Sequence, residues 1–497
     1  MLTKAKLNII VNKLKHNIAD ELINNRIEAS VSQISTCARI LYMANQTYYD
    51  QFLEEKLIEI SNILNITVNE YPAKKDTILF FDSFGLENRG LAQIYLKALS
   101  NIGKIIYVTY ADYKNKIPKL AKIVETNNQN KIYYLEGKDY LQKIKELKQI
   151  FEKEKPLHII NYSTPWEVSL PIASYPYRNF TKRYLINLTD HAFWLGAQLI
   201  DYCVEFRDYG AFISKKYRNI NKKNIVCLPY YPVIDINKEF EGFPFPYNET
   251  KHRIIFSGGN IYKTISKDNL YYKIVDYILS NYSDVIFWYA GSGDTLLYEN
   301  FNKLKEKYPN QLFLTKERQD LYQVLKSCYF YLSTYPVCGG LMMQYAAIAK
   351  KLPITLKLDN LVDDLLINQN NLEIMFDTYE DLIKEINKLL KDQSYLKSKE
   401  TKLENSVISE NEFQEQLNFV INTGKTKYKL DYKPVNTEDF RKEYLQRLCV
   451  CDVFAHISRN NSLICSFPKE YIVGLFFRII NKLKIFKNIL GSKLWKN

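Results

Sequence analysis

The chain is 497 residues long, 46% apolar and 25% charged, with a formal net charge of +13. That length exceeds what one core usually serves, so two large domains with additions are expected, and the apolar content excludes a disordered chain. The positive balance suits phosphates or anionic lipid, or else marks a lysine-rich solvated surface. No zinc-finger spacing, RNP-type motif or basic zipper is present, so a nucleic-acid-binding reading would rest on charge alone.

The eight cysteines are scattered. Cys449 and Cys451 are close but lack a second pair at zinc spacing, and Cys227, Cys328 and Cys465 lie in apolar runs, so reduced thiols in a cytoplasmic protein are expected. The opening MLTKAKLNIIVNKLKHN holds too short an apolar run for a signal peptide, and no stretch reaches the roughly 18 apolar residues that span a bilayer.

Residues 1–75 read as helical, with Ile and Leu at helical spacing. An alternation of strands and helices then begins. TILFFD (Thr77–Asp82), KIIYVTY, KIYYL, LHIINY, RYLINLTDH and DYCVEF are short apolar strands, separated by helical stretches. This predicts a parallel sheet covered on both faces over 76–235. The segment Cys227–Lys251 holds four of the 15 prolines and reads as a linker, placed at 236–250. The alternation restarts with RIIFSGG, DVIFWYAG, QLFLT, CYFYLSTY and LPITL, giving a second doubly wound domain at 251–425. Residues 426–497 again read as helical. Ile472, Phe476, Ile479, Leu483, Phe486 and Leu490 recur at helical spacing, interleaved with Arg478, Lys482, Lys484 and Lys487 and followed by Trp495. A basic amphipathic helix of this kind suits an anionic membrane surface, contacted through 469–497, or packs on the protein body with its lysines in water.

In open parallel sheets, ligands bind beyond the carboxyl ends of the strands. Three strands of the second domain end in glycine-bearing loops: SGGNIYKT (Ser257–Thr264), GSGD (Gly291–Asp294) and VCGG (Val337–Gly340). Each alone is an ordinary turn. Together they offer backbone N–H groups, a lysine and a helix N-terminus, the chemistry that holds a diphosphate.

This arrangement resembles the donor-binding half of a GT-B-fold glycosyltransferase, in particular the pattern of the inverting protein O-GlcNAc transferases and related bacterial surface-glycan enzymes. There a strand is followed by an FNxxYK-like loop whose lysine contacts the nucleotide diphosphate; this sequence has FSGGNIYKT, so Lys263 matches that lysine and Asn260 lies within the loop. The resemblance implies two Rossmann-like domains facing across a cleft, here with helical N- and C-terminal extensions. It implies Ser257, Gly258, Gly259, Asn260 and Lys263 near the donor, Thr315, Lys316 and Arg318 near the base, and Gly339, Gly340 and Leu341 near the phosphates. The sequence also departs from the pattern. Retaining GT-B enzymes carry two glutamates where this chain has Val337 and Tyr345 or Ala346. The Asp and hydroxyl residues expected at the helix start are replaced by Leu341, Met342, Met343 and Gln344. No Asp-x-Asp metal signature occurs, so neither a metal nor another cofactor is expected.

An inverting transfer needs a base to take the acceptor proton. DHAFWLG resembles a segment of surface-glycan enzymes of this type, and an imidazole is suited to that task near neutral pH. His191 is therefore the candidate base, with Asp190 orienting it or itself acting as base. Asp201, Glu205, Arg207 and Asp208 follow on the next strand and loop. Asn88, Arg89 and Trp166, in strand-end loops of the first domain, are candidate acceptor contacts. The expected function is transfer of a sugar from a nucleotide-sugar donor, UDP-linked, to a glycan, lipid-linked or protein acceptor in bacterial surface-glycan synthesis, on the inner face of the cell membrane. The alternative is a glycosyltransferase-like subunit without catalysis that binds or chaperones a glycosylated protein.

Overall fold

The structure, a computed structural model, describes all residues except 1, 65–67, 69, 88–90, 267, 358–364, 439, 440, 443, 444, 446, 447 and 495–497; side chains of 295, 296 and 483–494 are also outside the description. The chain divides into two units. The first comprises 1–88, 95–228 and 416–497, and the second comprises 89–94 and 229–415.

The first unit holds a parallel sheet of β1 (Lys74–Asp82), β2 (Lys104–Tyr110), β3 (Lys131–Leu135), β4 (Pro156–Tyr162), β5 (Lys182–Ile186), β6 (Tyr202–Glu205) and β7 (Ile225–Cys227). Among the described residues the order is β3-β2-β1-β4-β5-β6-β7. Thr77 to Asp82 are all buried, as a strand covered on both faces requires. The order reverses between β1 and β4, which makes the ends of those strands the switch point where crevices form.

The N-terminal helices belong to this unit's core rather than standing apart. They are α1 (Lys4–Ile23), α2 (Ile27–Ala44) and α3 (Gln51–Ile63). Thr3 caps α1 through Lys6 N–H and Asp50 caps α3 through Leu53 N–H. Their buried faces (Leu14 and Ile18, Ile34 and Leu41, Leu57 and Ile60) share one cluster with Leu79, Phe81, Ile106 and Ile159 of the sheet, and with Val453, Phe454 and Phe467 near the C-terminus. The chain's return from the second unit is fixed by hydrogen bonds. Tyr184 donates to the Ile421 carbonyl at 3.1 Å, and the Asp208 carboxylate accepts the N–H groups of Asp431, Tyr432 and Lys433. The extensions expected at 1–75 and 426–497 are thus parts of the first unit.

The second unit holds β8 (Arg253–Asn260), β9 (Val285–Ser292), β10 (Leu312–Thr315), β11 (Phe330–Leu332), β12 (Pro353–Leu356) and β13 (Met375–Phe376), again all parallel. Their order is β10-β9-β8-β11-β12-β13, with the reversal between β8 and β11. Its core is aromatic-rich: Phe256, Phe287, Trp288, Tyr289, Phe330 and Tyr331 are all buried. The polar linker is held here as well. Arg318 binds both Asp320 oxygens and donates to the Gly242 carbonyl at 3.0 Å, while Glu241 N–H donates to Asp320.

Candidate functional site

In the second unit, the switch point joins two of the three loops that the sequence singled out, those after β8 and β11. β8 and β9 stay in register to their ends, with Gly258 opposite Ala290, Gly259 opposite Gly291 and Asn260 opposite Ser292. A Cβ on Gly291 would lie 2.1 Å from the Gly259 carbonyl oxygen, so only glycine permits this approach. Gly259 has φ +135°, a conformation side chains rarely adopt, and the nearest atom to its empty Cβ position is Lys263 Cδ at 3.9 Å. Asn260 Oδ1 then accepts from Tyr262 N–H and starts the turn Ile261–Thr264. Ile261 and Thr264 are fully buried, so Lys263, half-buried, is presented from a turn with two fixed neighbours.

β11 leads into the second loop. Thr334 Oγ1 donates to the Val337 carbonyl at 2.7 Å, Gly339 N–H donates to Ser333 Oγ at 3.2 Å, and the helix Gly340–Ile348 follows. Val337 N–H donates to the Lys263 carbonyl at 3.3 Å, tying the two loops together. The N–H groups of Gly340, Leu341 and Met342 have no acceptor within the helix, because its first internal bond runs from Met343 N–H to the Gly339 carbonyl. These N–H groups and the Lys263 turn share one edge, an arrangement suited to an anion.

Three donor-site candidates are engaged by partners within the second unit. Ser257 is fully buried within β8 and bonded to the Tyr271 hydroxyl. Thr315 accepts from Trp288 Nε1 at 2.9 Å, a packing role. Arg318 is committed to Asp320 and the linker and stacks 5.2 Å from the Trp288 ring. Lys316 is exposed on the loop after β10, beside Glu317, which accepts from Ser292 at the end of β9. The positions lacking carboxylates have structural employment: Gln344 donates to the Tyr230 and Leu365 carbonyls and Tyr345 to the Val233 carbonyl.

In the first unit, His191 lies in the loop after β5, and its backbone is held from three directions. Arg218, 1% exposed, donates from Nη2 to the carbonyls on either side, Asp190 O at 2.9 Å and Ala192 O at 2.6 Å. Asn45, at the end of α2, donates to the His191 carbonyl at 2.9 Å. Glu54 of α3 accepts N–H groups from Gly196 and Gln198 at the loop's far end. Burial raises the Glu54 carboxyl to about 7, against the pull of those N–H groups. The imidazole itself is part-exposed, with Nδ1 3.5 Å from Asp190 Oδ1.

Asp190 is corrected as a candidate base. It is 1% exposed and gripped by Arg207 through two bonds. Burial alone would raise its carboxyl; the Arg207 guanidinium, with His191 beside it, overrides this and holds it well below the usual carboxylate range. With both oxygens held by Arg207 and its affinity for a proton so depressed, it is a poor proton acceptor near neutral pH, which leaves it the orienting role. Its acidic and basic neighbours are also spent internally. Asp201 pairs with Arg183, Asp208 receives the returning chain, and Glu205 lies fully buried, accepting from Asn187, Ser214 and Cys203.

Of the acceptor candidates, Asn88 and Arg89 lie outside the described residues. Trp166 is corrected to a packing residue: the Arg39 guanidinium stacks 4.4 Å from its ring, Tyr42 meets it edge-on, and Ser35 binds its carbonyl. Sequence reasoning missed Asn45, Glu54 and Arg218. Arg218 was one basic residue among many, and the other two sit more than a hundred positions from the loop they hold.

Among the described residues no cluster of His, Cys, Asp or Glu is arranged to hold a metal. No helix among them is long and apolar enough to cross a membrane.

Two doubly wound parallel sheets in succession, each with its polar loops at the strand ends, define a protein of two Rossmann-like α/β units. No family model matches the chain, and no curated protein sequence matches it. Solved structures match its fold. A mutant O-GlcNAc transferase of Thermobaculum terrenum superposes with a TM-score of 0.51 at 13% identity, over 89% of this chain and 81% of that one. A glycosyltransferase of Rickettsia africae does so at 0.50 and 14% identity, over 77% and 100%. The lipopolysaccharide outer core galactosyltransferase WaaB gives 0.50 at 10% identity, over 70% and 99%. The fold is therefore the GT-B fold of glycosyltransferases, as the sequence led one to expect.

Proposed function

We propose that this chain is a glycosyltransferase. It moves a sugar from a UDP-linked donor to an acceptor hydroxyl, with inversion, in the synthesis of a bacterial surface glycan such as capsule or lipopolysaccharide. The observation that carries this reading is the bond from Val337 N–H to the Lys263 carbonyl. It joins a lysine turn and a helix N-terminus at the β8/β11 switch point, where a diphosphate is best held. Gly259, Asn260, Gly339, Gly340 and Leu341 complete the donor edge, with Lys316 beside it. As the leaving diphosphate gains charge, the Lys263 ammonium and the helix N–H groups stabilise it without a metal. His191 takes the acceptor proton, positioned by Asp190, Arg218 and Asn45. The test is a donor screen with the full chain, reading released UDP or GDP. Turnover that is lost in Lys263→Ala and His191→Ala supports the assignment; full activity in His191→Ala overturns the choice of base.

A second reading has one observation in its favour: the segment from Val337 to Ala349 contains no carboxylate. A non-catalytic subunit recognising a glycosylated protein would bind UDP-sugar without releasing UDP, so multiple-turnover release decides between the two.

We also propose that the C-terminal helix Pro468–Leu494 docks on an anionic membrane surface. Its inner side is fixed where Gly474 meets the Phe454 carbonyl and Arg478 donates to the Ser458 carbonyl at 2.8 Å. Its outer side leaves Ile472, Phe476 and Ile479 exposed by 66%, 65% and 49%. An apolar stripe turned to solvent beside Lys482 is the pattern of an interfacial helix. Such docking would keep the enzyme near a lipid-linked acceptor at the cytoplasmic face.

A further inference from the structure

The turn from Ser458 to Ser462 is held between two helices of the first unit. On one side Asn460 Nδ2 donates to Thr36 Oγ1 of α2 at 3.1 Å, and Gln33 Nε2 donates to Ser462 Oγ at 3.2 Å. On the other side the C-terminal helix grips it. Arg478 Nη1 donates to the Ser458 carbonyl at 2.8 Å, and the Tyr471 hydroxyl donates to Asn461 Oδ1 at 2.6 Å. Three arginines meet here as a result. Arg459 lies in the turn itself. Arg39 stands one helical turn beyond Thr36 on the same side of α2. Arg478 reaches the residue before Arg459.

Arg459 is exposed, and Arg39 and Arg478 are part-exposed. Among the described residues none of the three forms an ion pair. Arg39 stacks on the Trp166 ring, which leaves its charge in place. The Glu167 carboxylate, whose charge reaches Arg39, is already used by the Tyr110 hydroxyl and Ser169 N–H. The cations act on one another and on a shared neighbour. Burial, then Arg39, Arg459 and Arg478 together, lower the part-buried His456 imidazole to about 3. His456 ends the helix Val450–Ile457 one residue early. The C-terminal end of a helix favours a cation, which accounts for Arg478 on the Ser458 carbonyl but not for two further guanidiniums. Like charges gathered without a counter-charge raise each other's free energy, and a bound anion offsets it. A guanidinium fork matches phosphate oxygens in particular.

The surroundings point to the source of that phosphate. Arg478 and Lys482 are four apart on one flank of the C-terminal helix, between its inner side at Gly474 and its exposed stripe of Ile472, Phe476 and Ile479. An interfacial helix holds such a stripe among acyl chains and its flanking cations near the headgroups. We propose that Arg39, Arg459 and Arg478 form a binding site for the phosphate of an anionic lipid headgroup. That the phosphate belongs to a lipid rests on the membrane-docking reading of this helix; that the ligand is a phosphate rests on the arginine cluster alone.

The test measures co-sedimentation of the full chain with phosphatidylcholine vesicles containing phosphatidylglycerol. Calorimetry with monomeric dihexanoyl phosphatidylglycerol and with inorganic phosphate accompanies it. Vesicle affinity should fall about tenfold in Arg459→Gln and further in Arg39→Gln/Arg459→Gln. Arg459 is exposed, so its variant reads the site without disturbing the fold. Lys384→Gln/Lys391→Gln removes two exposed lysines of the second unit and should bind vesicles as the parent does. The short-chain lipid should bind with the same dependence on Arg459. Equal vesicle binding by Arg459→Gln and the parent, or an equal loss in the lysine control, overturns the site. Inorganic phosphate binding as tightly as the short-chain lipid, with no vesicle binding, overturns the lipid source. Phe476→Asp separates the two readings. Vesicle binding lost in Phe476→Asp, with Arg459-dependent binding of the short-chain lipid intact, supports both. Vesicle binding kept in Phe476→Asp but lost in Arg459→Gln removes the docking of the helix and keeps the arginine site.

Discussion

Arg207 grips both carboxylate oxygens of Asp190, with Nε 2.6 Å from Oδ2 and Nη2 3.1 Å from Oδ1. Both residues are buried. Removing one partner of such a pair strands a charge, which costs about 3–5 kcal/mol. Arg207→Met is therefore expected to lower the unfolding midpoint of the first unit sharply, whereas Lys316→Ala, on an exposed lysine, should leave stability within about 0.5 kcal/mol of the parent. Chemical denaturation followed by circular dichroism checks this. Equal stability of the two variants would show that the pair is not a strut.

In the proposed function, Lys263 supplies the cation of the donor edge. In Lys263→Ala, calorimetry should show UDP affinity reduced by about tenfold to a hundredfold, the loss of one charge-assisted contact of about 1.5–3 kcal/mol. The fold should be unchanged, since the side chain is only half-buried. Chelation of divalent cations should leave wild-type UDP affinity intact if lysine and helix N–H groups hold the diphosphate.

Gly291 faces the Gly259 backbone at a distance no Cβ can share. Backbone cannot retreat as a flexible side chain can, so Gly291→Ala should destabilise the second unit by about 1–3 kcal/mol. UDP binding should fall with it, because the strained strand end carries Asn260 and the Lys263 turn. Gly340→Ala is the contrasting case: its Cβ would meet the far end of the Leu365 side chain, which can move. The thermal shift of the first variant should clearly exceed that of the second.

Acid should destabilise the first unit through His158. Burial, with the Lys182 charge nearby, lowers its imidazole to about 4. A histidine whose folded pKa is depressed binds fewer protons than in the unfolded chain between the two values. Its contribution is then fully present above about pH 6.5 and is lost as pH falls toward 4, on the order of 3 kcal/mol in all. His158→Gln should flatten the stability profile over that window. An unchanged slope between pH 6.5 and 4 would assign the acid sensitivity elsewhere, with His456, lowered to about 3 by burial and by Arg39, Arg459 and Arg478, as the next group to examine.

Phe476→Asp places a charge in the middle of the exposed apolar stripe. Co-sedimentation with phosphatidylglycerol vesicles should fall strongly in this variant, while binding to neutral vesicles should be weak in both proteins. Equal sedimentation of variant and parent would remove the membrane from the proposed function.

The sequence by itself determined the periodicities. Alternation of apolar strands and helices fixed two parallel sheets, because strands covered on both faces must be apolar throughout while their covering helices need only a stripe. The glycine-bearing strand ends marked the switch point of the second unit, because sheet polarity places every such loop on one edge. Tertiary structure alone decided which polar groups are free to act. Asp190 and His191 are adjacent and look interchangeable in sequence, yet Arg207, seventeen positions on, locks one and leaves the other part-exposed. Arg318 reads as a base contact until Asp320 and the linker claim it. Asn45 and Glu54 acquire their roles only when α2 and α3 fold against the loop after β5. Hydrogen bonds and ion pairs act over about 3 Å in space with no regard for separation along the chain, so no pattern of spacing announces them.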